Sequence, residues 1–190
     1  MTERAATVER TTDRILDAAL RRYAVTPYVD LRLDDLAADA EVTVQTLIRR
    51  FGGKAGLIVA LVERELGRLA AARAATRDVA VPELLGDLVA HYERYGELIL
   101  KLYSEAPLVP GLAECAAEAR AFHVDWCRQR FGALVVAASG PEADRRIAAA
   151  VAVCDATTWR ILRRDGHLEP AQIELTLREL LAAALGSPPY

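Results

Sequence analysis

The sequence predicts an all-α protein, with an N-terminal three-helix helix-turn-helix domain and a C-terminal helical bundle. Apolar residues make up 53% of the 190 positions, and they recur at helical spacing along most of the chain. Val, Ile and Thr do not gather into the short alternating runs that strands require. Proline and glycine fall between the periodic segments, so they mark the ends of the helices.

The first predicted helix runs from Thr12, as its N-cap, to about Val25. Threonine is a favoured N-cap because its side-chain oxygen can accept a bond from a free backbone amide. Pro27 cannot continue a helix, so the helix ends before it. The apolar face that we expect to be buried comprises Ile15, Leu16, Ala19, Leu20 and Tyr23.

Two short helices joined by a tight turn follow, which is the arrangement of a helix-turn-helix. The first is predicted over residues 33–40 and the second over residues 43–51. Gly52 and Gly53 end the second helix, because consecutive glycines disfavour helical structure. A long helix then extends over residues 54–77.

Four further helices are predicted beyond residue 80, separated by proline and glycine. They span residues 82–105, 112–138, 141–165 and 170–185. The change in helix length predicts two domains, with the long helix 54–77 linking them. We expect residues 1–56 to form the helix-turn-helix domain and residues 57–190 to form the second domain.

The segment 147–154 carries no polar side chain. A helix that is apolar all round must be covered on both sides, and its own bundle can cover only one. We therefore expect a homodimer in which helices 141–165 and 170–185 of two copies form a four-helix interface. The last helix would contribute Ile173, Leu177, Leu180 and Leu181. The alternative is that helix 141–165 lies wholly inside one bundle.

The charge of the chain excludes a protein that is basic overall, since the formal net charge is −3 and the pI is about 5.7. Any contact with nucleic acid must therefore come from a local patch. Residues 1–56 hold nine basic and nine acidic side chains. Within residues 43–54, however, the charged side chains are all basic. That segment is the candidate patch.

Three cysteines, without a CxxC pair, are typical of reduced thiols in a reducing compartment. The sequence contains neither a run resembling a signal peptide nor 18 consecutive apolar residues. We therefore expect a cytoplasmic protein that does not contact a membrane.

The second short helix carries the side chains that we predict to contact double-stranded DNA. The N-terminal end of such a helix points at base edges. Glutamine can pair with adenine through two bonds, valine and threonine methyls can meet thymine, and cations contact phosphates. The predicted base-facing residues are Thr43, Val44, Gln45 and Thr46, and the predicted phosphate contacts are Arg32, Arg49, Arg50 and Lys54. Three cations on a surface helix are also typical of a solvated face, so both interpretations stay open at this point.

Aromatic residues of the second domain predict an apolar cavity for a small molecule, although such spacing is also typical of a core. The candidates are Tyr92, Tyr95, Tyr103, Phe122, His123, Trp126 and Trp159. His123 and Cys127 share a helical face, but two ligands are too few for a metal site, so we expect no metal. We expect His91 and His167 at the surface. Catalytic and cofactor-binding motifs are not found, and we expect no catalytic residues, no cofactor and no enzymatic activity.

A regularly spaced set of residues extends from position 14 to position 57. It comprises Ile15-Leu16-Asp17-Ala18-Ala19-Leu20, Tyr23-Ala24, Leu33-Asp34-Asp35-Leu36-Ala37, Val42-Thr43, Thr46-Leu47, Phe51, Lys54 and Leu57. This set, about a quarter of the chain, closely resembles the N-terminal domain of the TetR-type transcriptional regulators. The segment 159–166 is similar to the C-terminal end of some members. The resemblance implies an all-α homodimer that binds a palindromic operator, acts as a repressor, and releases DNA when a small effector binds its C-terminal domain.

Four features depart from the family pattern. Glu41 stands where the turn usually has glycine, Ile48 replaces an aromatic residue, Arg32 replaces a capping Ser or Thr, and Gly52-Gly53 replaces Pro-Ser. If position 41 requires a positive φ, a residue other than glycine there costs on the order of 1 kcal/mol. Two alternatives therefore remain: a helical small-molecule-binding protein that has lost DNA binding, and a small all-α enzyme.

Overall fold

The computed structural model describes residues 3–75, 80–135 and 139–186, and within these ranges the regular secondary structure is helical. The predicted all-α fold is therefore confirmed. The helices are α1 (Glu3–Val25), α2 (Leu33–Asp39), α3 (Val44–Phe51), α4 (Lys54–Ala75), α5 (Val81–Glu105), α6 (Leu112–Phe131), α7 (Pro141–Val153), α8 (Ala156–Arg160) and α9 (Pro170–Leu185).

The first of two compact units comprises residues 1–71 and 101–117. Its core is formed by the inner faces of α1 to α4, where apolar residues recur at helical spacing. The fully buried side chains of this core include Ile15, Tyr23, Leu36, Leu47, Leu57, Ile58 and Leu61. The first turns of α4 therefore pack with the helix-turn-helix, although they lie beyond the predicted boundary after residue 56.

The second compact unit comprises residues 72–100 and 118–190. Parts of α5, α6, α7 and α9 pack around one apolar core, and α7 lies against α9. Trp159, Phe131 and Ile173 are the largest fully buried side chains of this core. None of the described helices is both long enough and apolar enough to cross a membrane.

The predicted start of the first helix is wrong, because α1 already begins at Glu3. Thr12 is not an N-cap, since its hydroxyl donates a 2.9 Å bond to the carbonyl of Val8 one turn earlier. A threonine inside a helix satisfies its hydroxyl in this way. The sequence preceding Thr12 is polar, and polar residues alone do not end a helix.

The prediction of one helix over residues 141–165 is also wrong. Helix α7 ends at Val153, and Asp155 then caps α8 by accepting a 2.8 Å bond from the amide of Thr157. A π-helical turn completes the segment to Asp165. Helix α6 ends at Phe131 and continues as a 3₁₀ turn to Val135, while the predicted ends at residues 77 and 138 lie outside the described residues.

The apolar segment of α7 is only partly covered by its own unit. Ala150 is fully buried, whereas Ala148 and Ala152 are exposed. On α9, however, three of the residues predicted for an interface face the interior of their own chain, namely Ile173, Leu177 and Leu181. Their spacing of four residues places them on one inner face. The exposed leucines of α9 are Leu180, which was predicted, and Leu175, which was not.

Candidate nucleic-acid interface

Helix α3 begins at an N-cap that the sequence predicts. Thr43 has an extended backbone, and its hydroxyl accepts a 3.2 Å bond from the amide of Thr46. The two threonine hydroxyls also lie 3.0 Å apart. Because each hydroxyl is used to close the first turn, these two residues hold the end of the helix in place.

The outward face of α3 is formed by Gln45, Ile48 and Arg49, whose side chains are all exposed. On the opposite face, Leu47 is fully buried in the core. Val44 is half-buried at the edge between the two faces. The helix is therefore anchored on one side and presents an amide, an aliphatic group and a guanidinium to solvent on the other.

The turn between α2 and α3 adopts the left-handed conformation that the family pattern implies. Glu41 has a φ of 50°, although glycine is the residue that reaches this region without strain. The amide of Val42 donates a 2.9 Å bond to the carbonyl of Ala37, which closes the turn. The carboxylate of Glu41 is exposed and lies 3.8 Å from Arg14, a pair that contributes little at the surface.

The four predicted phosphate-contacting cations fall into two groups. Arg32 and Arg49 are exposed, and neither has a hydrogen bond or ion pair to the part of the chain that the structure describes. Arg50 instead donates a 3.2 Å bond to the carbonyl of Val8 in α1. Lys54 points into the protein, where its ammonium group is occupied. Arg32 and Arg49 can therefore reach a phosphate from solvent, whereas Arg50 and Lys54 already bond within the protein.

Lys54 holds the short turn that precedes α2. Its Nζ donates to the carbonyls of Tyr28 and Leu31 at 2.8 and 3.0 Å, and it lies 4.4 Å from the centre of the Tyr28 ring. An ammonium group has three protons to donate, and a longer contact of 3.5 Å to the carbonyl of Val29 occupies the third. Its geometry is that of a structural clamp.

An ion pair between α1 and α2 was missed by the sequence reasoning. The guanidinium of Arg22 donates to both carboxylate oxygens of Asp39, with Nη2 at 2.9 Å from Oδ1. This bond lowers the pKa of the Asp39 carboxyl and raises the pKa of Arg22. The two residues are 17 positions apart, so no helical spacing signals the contact.

Two of the predicted effector-contacting residues pack against each other inside the second unit. The rings of Tyr92 and Trp159 are 6.2 Å apart, and both are nearly inaccessible to solvent. The Tyr92 hydroxyl donates a 2.7 Å bond to the carbonyl of Cys154, and the Trp159 indole donates a 2.8 Å bond to Glu93. These two hydrogen bonds offset the free-energy cost of burying the hydroxyl and the indole N–H.

A second group forms around Arg73, a residue that sequence reasoning did not select. Its guanidinium lies 4.3 Å from the centre of the Trp126 ring and 5.3 Å from that of Phe122. It also lies 3.4 Å from Nδ1 of His123. Arg73 belongs to the last turn of α4, and nothing in the local sequence distinguishes it from a solvated arginine.

The prediction that His91 lies at the surface is wrong. Its ring packs 5.6 Å from Tyr92 and 5.2 Å from Tyr95, and its Nε2 is buried without a hydrogen-bond partner among the described residues. Burial and the nearby Arg73 cation lower the pKa of His91 from 6.5 to about 4. His167 is exposed, as predicted.

The seven predicted effector-contacting residues are not all brought together. Six lie in the second unit, whereas Tyr103 belongs to the first. The second unit also has an open groove of about 680 Å³, and none of the seven lines it. Its walls are Val124, Arg128, Gly132, Val135, Ala143, Asp144, Ile147, Ala148 and Val151. Within the described residues, no three His, Cys, Asp or Glu side chains are arranged to hold a metal ion.

Comparison with known proteins identifies the segment that contains the helix-turn-helix. Residues 15–61 match the family model described as bacterial regulatory proteins, tetR family. This segment is thus similar in sequence to a TetR-family N-terminal domain. The match includes α2, α3 and the buried first turns of α4, so it covers both the outward face of α3 and the core that supports it. No sequence among the curated proteins matches the chain.

Solved structures extend the similarity in fold to nearly the whole chain. One is a transcriptional regulator from Pseudomonas aeruginosa PAO1, with 14% identity, a TM-score of 0.72, and coverage of 94% of this chain and 91% of that one. A TetR regulator from Haloarcula marismortui has 16% identity, a TM-score of 0.71, and coverage of 92% and 98%. A regulator from Saccharomonospora viridis, solved with choline, has 18% identity, a TM-score of 0.70, and coverage of 91% and 96%.

Proposed function

We propose that this protein is a ligand-responsive transcriptional repressor that binds a palindromic DNA operator as a homodimer. The observation that carries the proposal is the outward face of α3. Gln45 and Arg49 are exposed on a helix whose N-terminus is capped by Thr43 and whose opposite face is anchored by Leu47. This is what a recognition helix needs in order to enter the major groove as a rigid element.

Each predicted DNA-contacting residue has a role consistent with its surroundings. Gln45 would read adenine through two hydrogen bonds, and Val44 and the Thr46 methyl would contact thymine. Arg32 and Arg49 would bind phosphates, which fix the register without reading sequence. Thr43, Arg50 and Lys54 would act mainly by positioning the helix, because their polar groups already bond within the protein.

The homodimer would form through α7, α8 and α9, the region predicted as helices 141–165 and 170–185. Support comes from the exposed Ala152 of α7 and the exposed Leu175 and Leu180 of α9. A twofold axis would make these faces self-complementary. It would also separate the two recognition helices by about one helical turn of DNA, roughly 34–36 Å, or a multiple of it.

The effector would bind in the proposed ligand-binding and dimerisation domain, residues 57–190, while residues 1–56 bind DNA. A small molecule bound to one structural neighbour, the regulator solved with choline, supports a ligand site in this fold. Half-buried Tyr95 and Phe122 are the members of the aromatic set that an incoming ligand would meet first. The proposed regulator acts in the cytoplasm and catalyses no reaction.

Selection of bound duplexes from a random DNA pool tests the proposal directly. We expect an enriched palindrome, and a plot of log K against log salt with a slope near −5 if the dimer neutralises about six phosphates. Gln45→Ala should change the preferred sequence. Arg49→Ala should weaken binding to every sequence by about tenfold and make the slope about two units shallower, because each protomer of the dimer loses one phosphate contact.

The matched control is Arg128→Ala, which removes an exposed arginine of the second unit that pairs with Asp125. Its affinity for the selected DNA should equal that of the unchanged protein. A pool without an enriched sequence, or binding that is independent of salt, would contradict the proposed DNA-binding function.

The dimer is tested by measuring the mass in solution at micromolar concentration. We expect about twice the chain mass of 20.7 kDa. Leu180→Glu should yield the single chain, because a buried carboxylate at an apolar interface is strongly disfavoured. Leu108→Glu, at an exposed leucine of the first unit, should leave the dimer intact. Dissociation by both variants, or by neither, would overturn the assigned interface.

A further inference from the structure

Two cysteine thiols of the second unit are in contact in its interior. Cys127 lies on α6, and Cys154 follows the last residue of α7, where the chain breaks before α8. Both are fully buried in the same apolar core, and each thiol shifts the pKa of the other, so the two side chains are neighbours. Cys115 lies in the first unit and has a different environment, bonding to the carbonyl of Gly111.

His123 places a hydrogen-bond donor beside this pair. The guanidinium of Arg73 can only donate, so the contact of 3.4 Å to Nδ1 makes that atom the acceptor. The ring hydrogen then sits on Nε2, which lies 3.4 Å from the carbonyl of Val151 and 3.8 Å from the sulfur of Cys127. Arg73 thereby fixes the tautomer that points an N–H towards Cys127.

The Cys127 sulfur is consequently surrounded by groups that favour a thiolate. The bond from Cys154, followed by the bond from His123 and the cation of Arg73, lowers the pKa of Cys127 to about 6 against the opposing effect of burial. The same bond, together with burial, raises the pKa of Cys154. Of the two thiols, Cys127 is therefore the nucleophile and Cys154 the proton donor.

A small reagent has a path towards this pair. The open groove on α6 and α7 is lined by Val124, which follows His123 in the chain, and by Val151, whose carbonyl accepts from the His123 ring. The groove thus reaches residues in contact with, or adjacent to, the histidine beside Cys127. Full burial of both sulfur atoms excludes bulky oxidants and restricts the reagent to a molecule about the size of a peroxide.

We propose that Cys127 and Cys154 form a modification site that hydrogen peroxide oxidises to a disulfide. The Cys127 sulfur attacks one peroxide oxygen, so that an S–O bond forms, the O–O bond breaks, and the leaving hydroxide takes up a proton as water. The Cys154 sulfur then attacks the sulfenic acid, an S–S bond forms, and a second water leaves with the Cys154 proton. Two thiols and one peroxide yield one disulfide and two waters, with two electrons passing to the peroxide.

The site goes beyond the proposed function, because its chemistry requires neither DNA nor an effector. A disulfide would tie α6 to the break between α7 and α8. The two neighbouring sulfur atoms would have to approach to the S–S length of about 2.04 Å. The bond would be reversible by thiols, unlike higher oxidation of a lone cysteine.

The test treats the full-length protein with hydrogen peroxide near neutral pH, blocks remaining thiols, and measures intact mass and the peptides of a non-reducing digest. We expect loss of two hydrogen atoms, a linked peptide pair containing Cys127 and Cys154, and reversal by dithiothreitol. Cys127 should react at least about tenfold faster than Cys115, because the pKa of Cys127 is lowered.

Three variants sharpen the result. Cys154→Ser should leave a Cys127 sulfenic acid, detected as the gain of one oxygen atom in the intact mass, Cys127→Ser should abolish the fast reaction, and Cys115→Ser should react as the unchanged protein does. The proposal is overturned if Cys115 reacts as fast as Cys127, or if Cys127 advances to the sulfinic acid while Cys154 remains a thiol. It is equally overturned if the link forms only in denaturant. If a variant fails to fold, the oxidation rates of Cys127 and Cys115 in the unchanged protein still test the proposal.

Discussion

The surface of the helix-turn-helix and the interior of the second unit use charged and polar side chains in opposite ways. On α3, Arg49 and Gln45 are exposed and bond to nothing in the described chain, which leaves them available to a partner. In the second unit, Arg73 is enclosed by aromatic rings, and His123 bonds towards buried thiols. An exposed polar residue can be assigned from the local sequence, whereas a buried one acquires its role from elements that are distant along the chain.

The largest effect should come from the close packing of α5 against Trp159. A Cβ added to Gly96 would lie 2.6 Å from Cε3 of the buried Trp159 ring, and that ring cannot move without disturbing the core. Gly96→Ala should therefore lower the free energy of unfolding by about 3 kcal/mol or more, measured by urea denaturation.

The matched control is Gly67→Ala in α4, where an added Cβ meets no atom within 4 Å. Alanine is the better helix former, so this variant should be stabilised by up to about 1 kcal/mol. If Gly96→Ala proved as harmless as Gly67→Ala, the tight contact with Trp159 would be refuted.

The next effect concerns His91 and pH. Its pKa is about 4 in the folded protein against 6.5 normally, so the unfolded chain binds more protons between these values. Above pH 6.5 His91 is neutral in both states, so it does not destabilise the folded protein. As the pH falls from 6.5 towards 4, the unfolded chain takes up a proton that buried His91 does not, and the folded protein loses stability. The free energy of unfolding should drop by about 2–3 kcal/mol over this window through His91 alone.

The His91 contribution is isolated by comparing denaturation curves of the unchanged protein and His91→Phe at several pH values. The difference between their stabilities should change across pH 4–6.5 and be constant above it. Parallel curves throughout the window would mean that His91 is solvated rather than buried.

A smaller effect should separate the two groups of cations near α3. Lys54→Met removes a clamp on the carbonyls of Tyr28 and Leu31, and loss of charge-assisted bonds should cost about 1.5–2 kcal/mol of stability. Arg49→Ala, at an exposed position, should leave thermal stability unchanged while weakening DNA binding. The reverse pattern would show that Lys54 is the phosphate contact and Arg49 the structural residue.

The smallest effect is expected at Glu41. Glycine adopts the observed φ of 50° without strain, so Glu41→Gly should raise the free energy of unfolding by about 1 kcal/mol. The exposed pair with Arg14 contributes little, so its loss should not offset the gain. A fall in the melting temperature would indicate that the left-handed turn is not strained by glutamate.

Much of the helix-turn-helix was predictable from the sequence because its signals are local. Thr43 is a favoured capping residue and caps α3, Gly52 ends the helix in a left-handed conformation, and Leu47 is buried on its inner face. The start of α1 was not predictable, because Thr12 looks the same as a cap or as an interior residue. A threonine hydroxyl can accept a bond from a backbone amide later in the chain, as an N-cap does, or donate one to a carbonyl earlier in the chain. Which bond forms depends on whether the preceding residues are helical.

The candidate site was predictable in part. Exposure of Gln45 and Arg49 follows from helical period, but the inward turn of Lys54 depends on carbonyls of a loop that lies 23 to 26 residues earlier. In the second unit, aromatic content was visible in the sequence, while the enclosure of Arg73 was not.

The sequence by itself determined the helical fold class, the helix-turn-helix and the face of α3 that meets solvent, since these depend on periodicity and capping over a few residues. Only the tertiary structure decided that Cys127 meets Cys154, that Arg73 orients His123, and that α7 breaks at Asp155. Such contacts join residues that are distant in sequence. They are stabilised by burial and by hydrogen bonds that are stronger in a low-dielectric interior, and a local sequence pattern does not encode which distant residues will meet there.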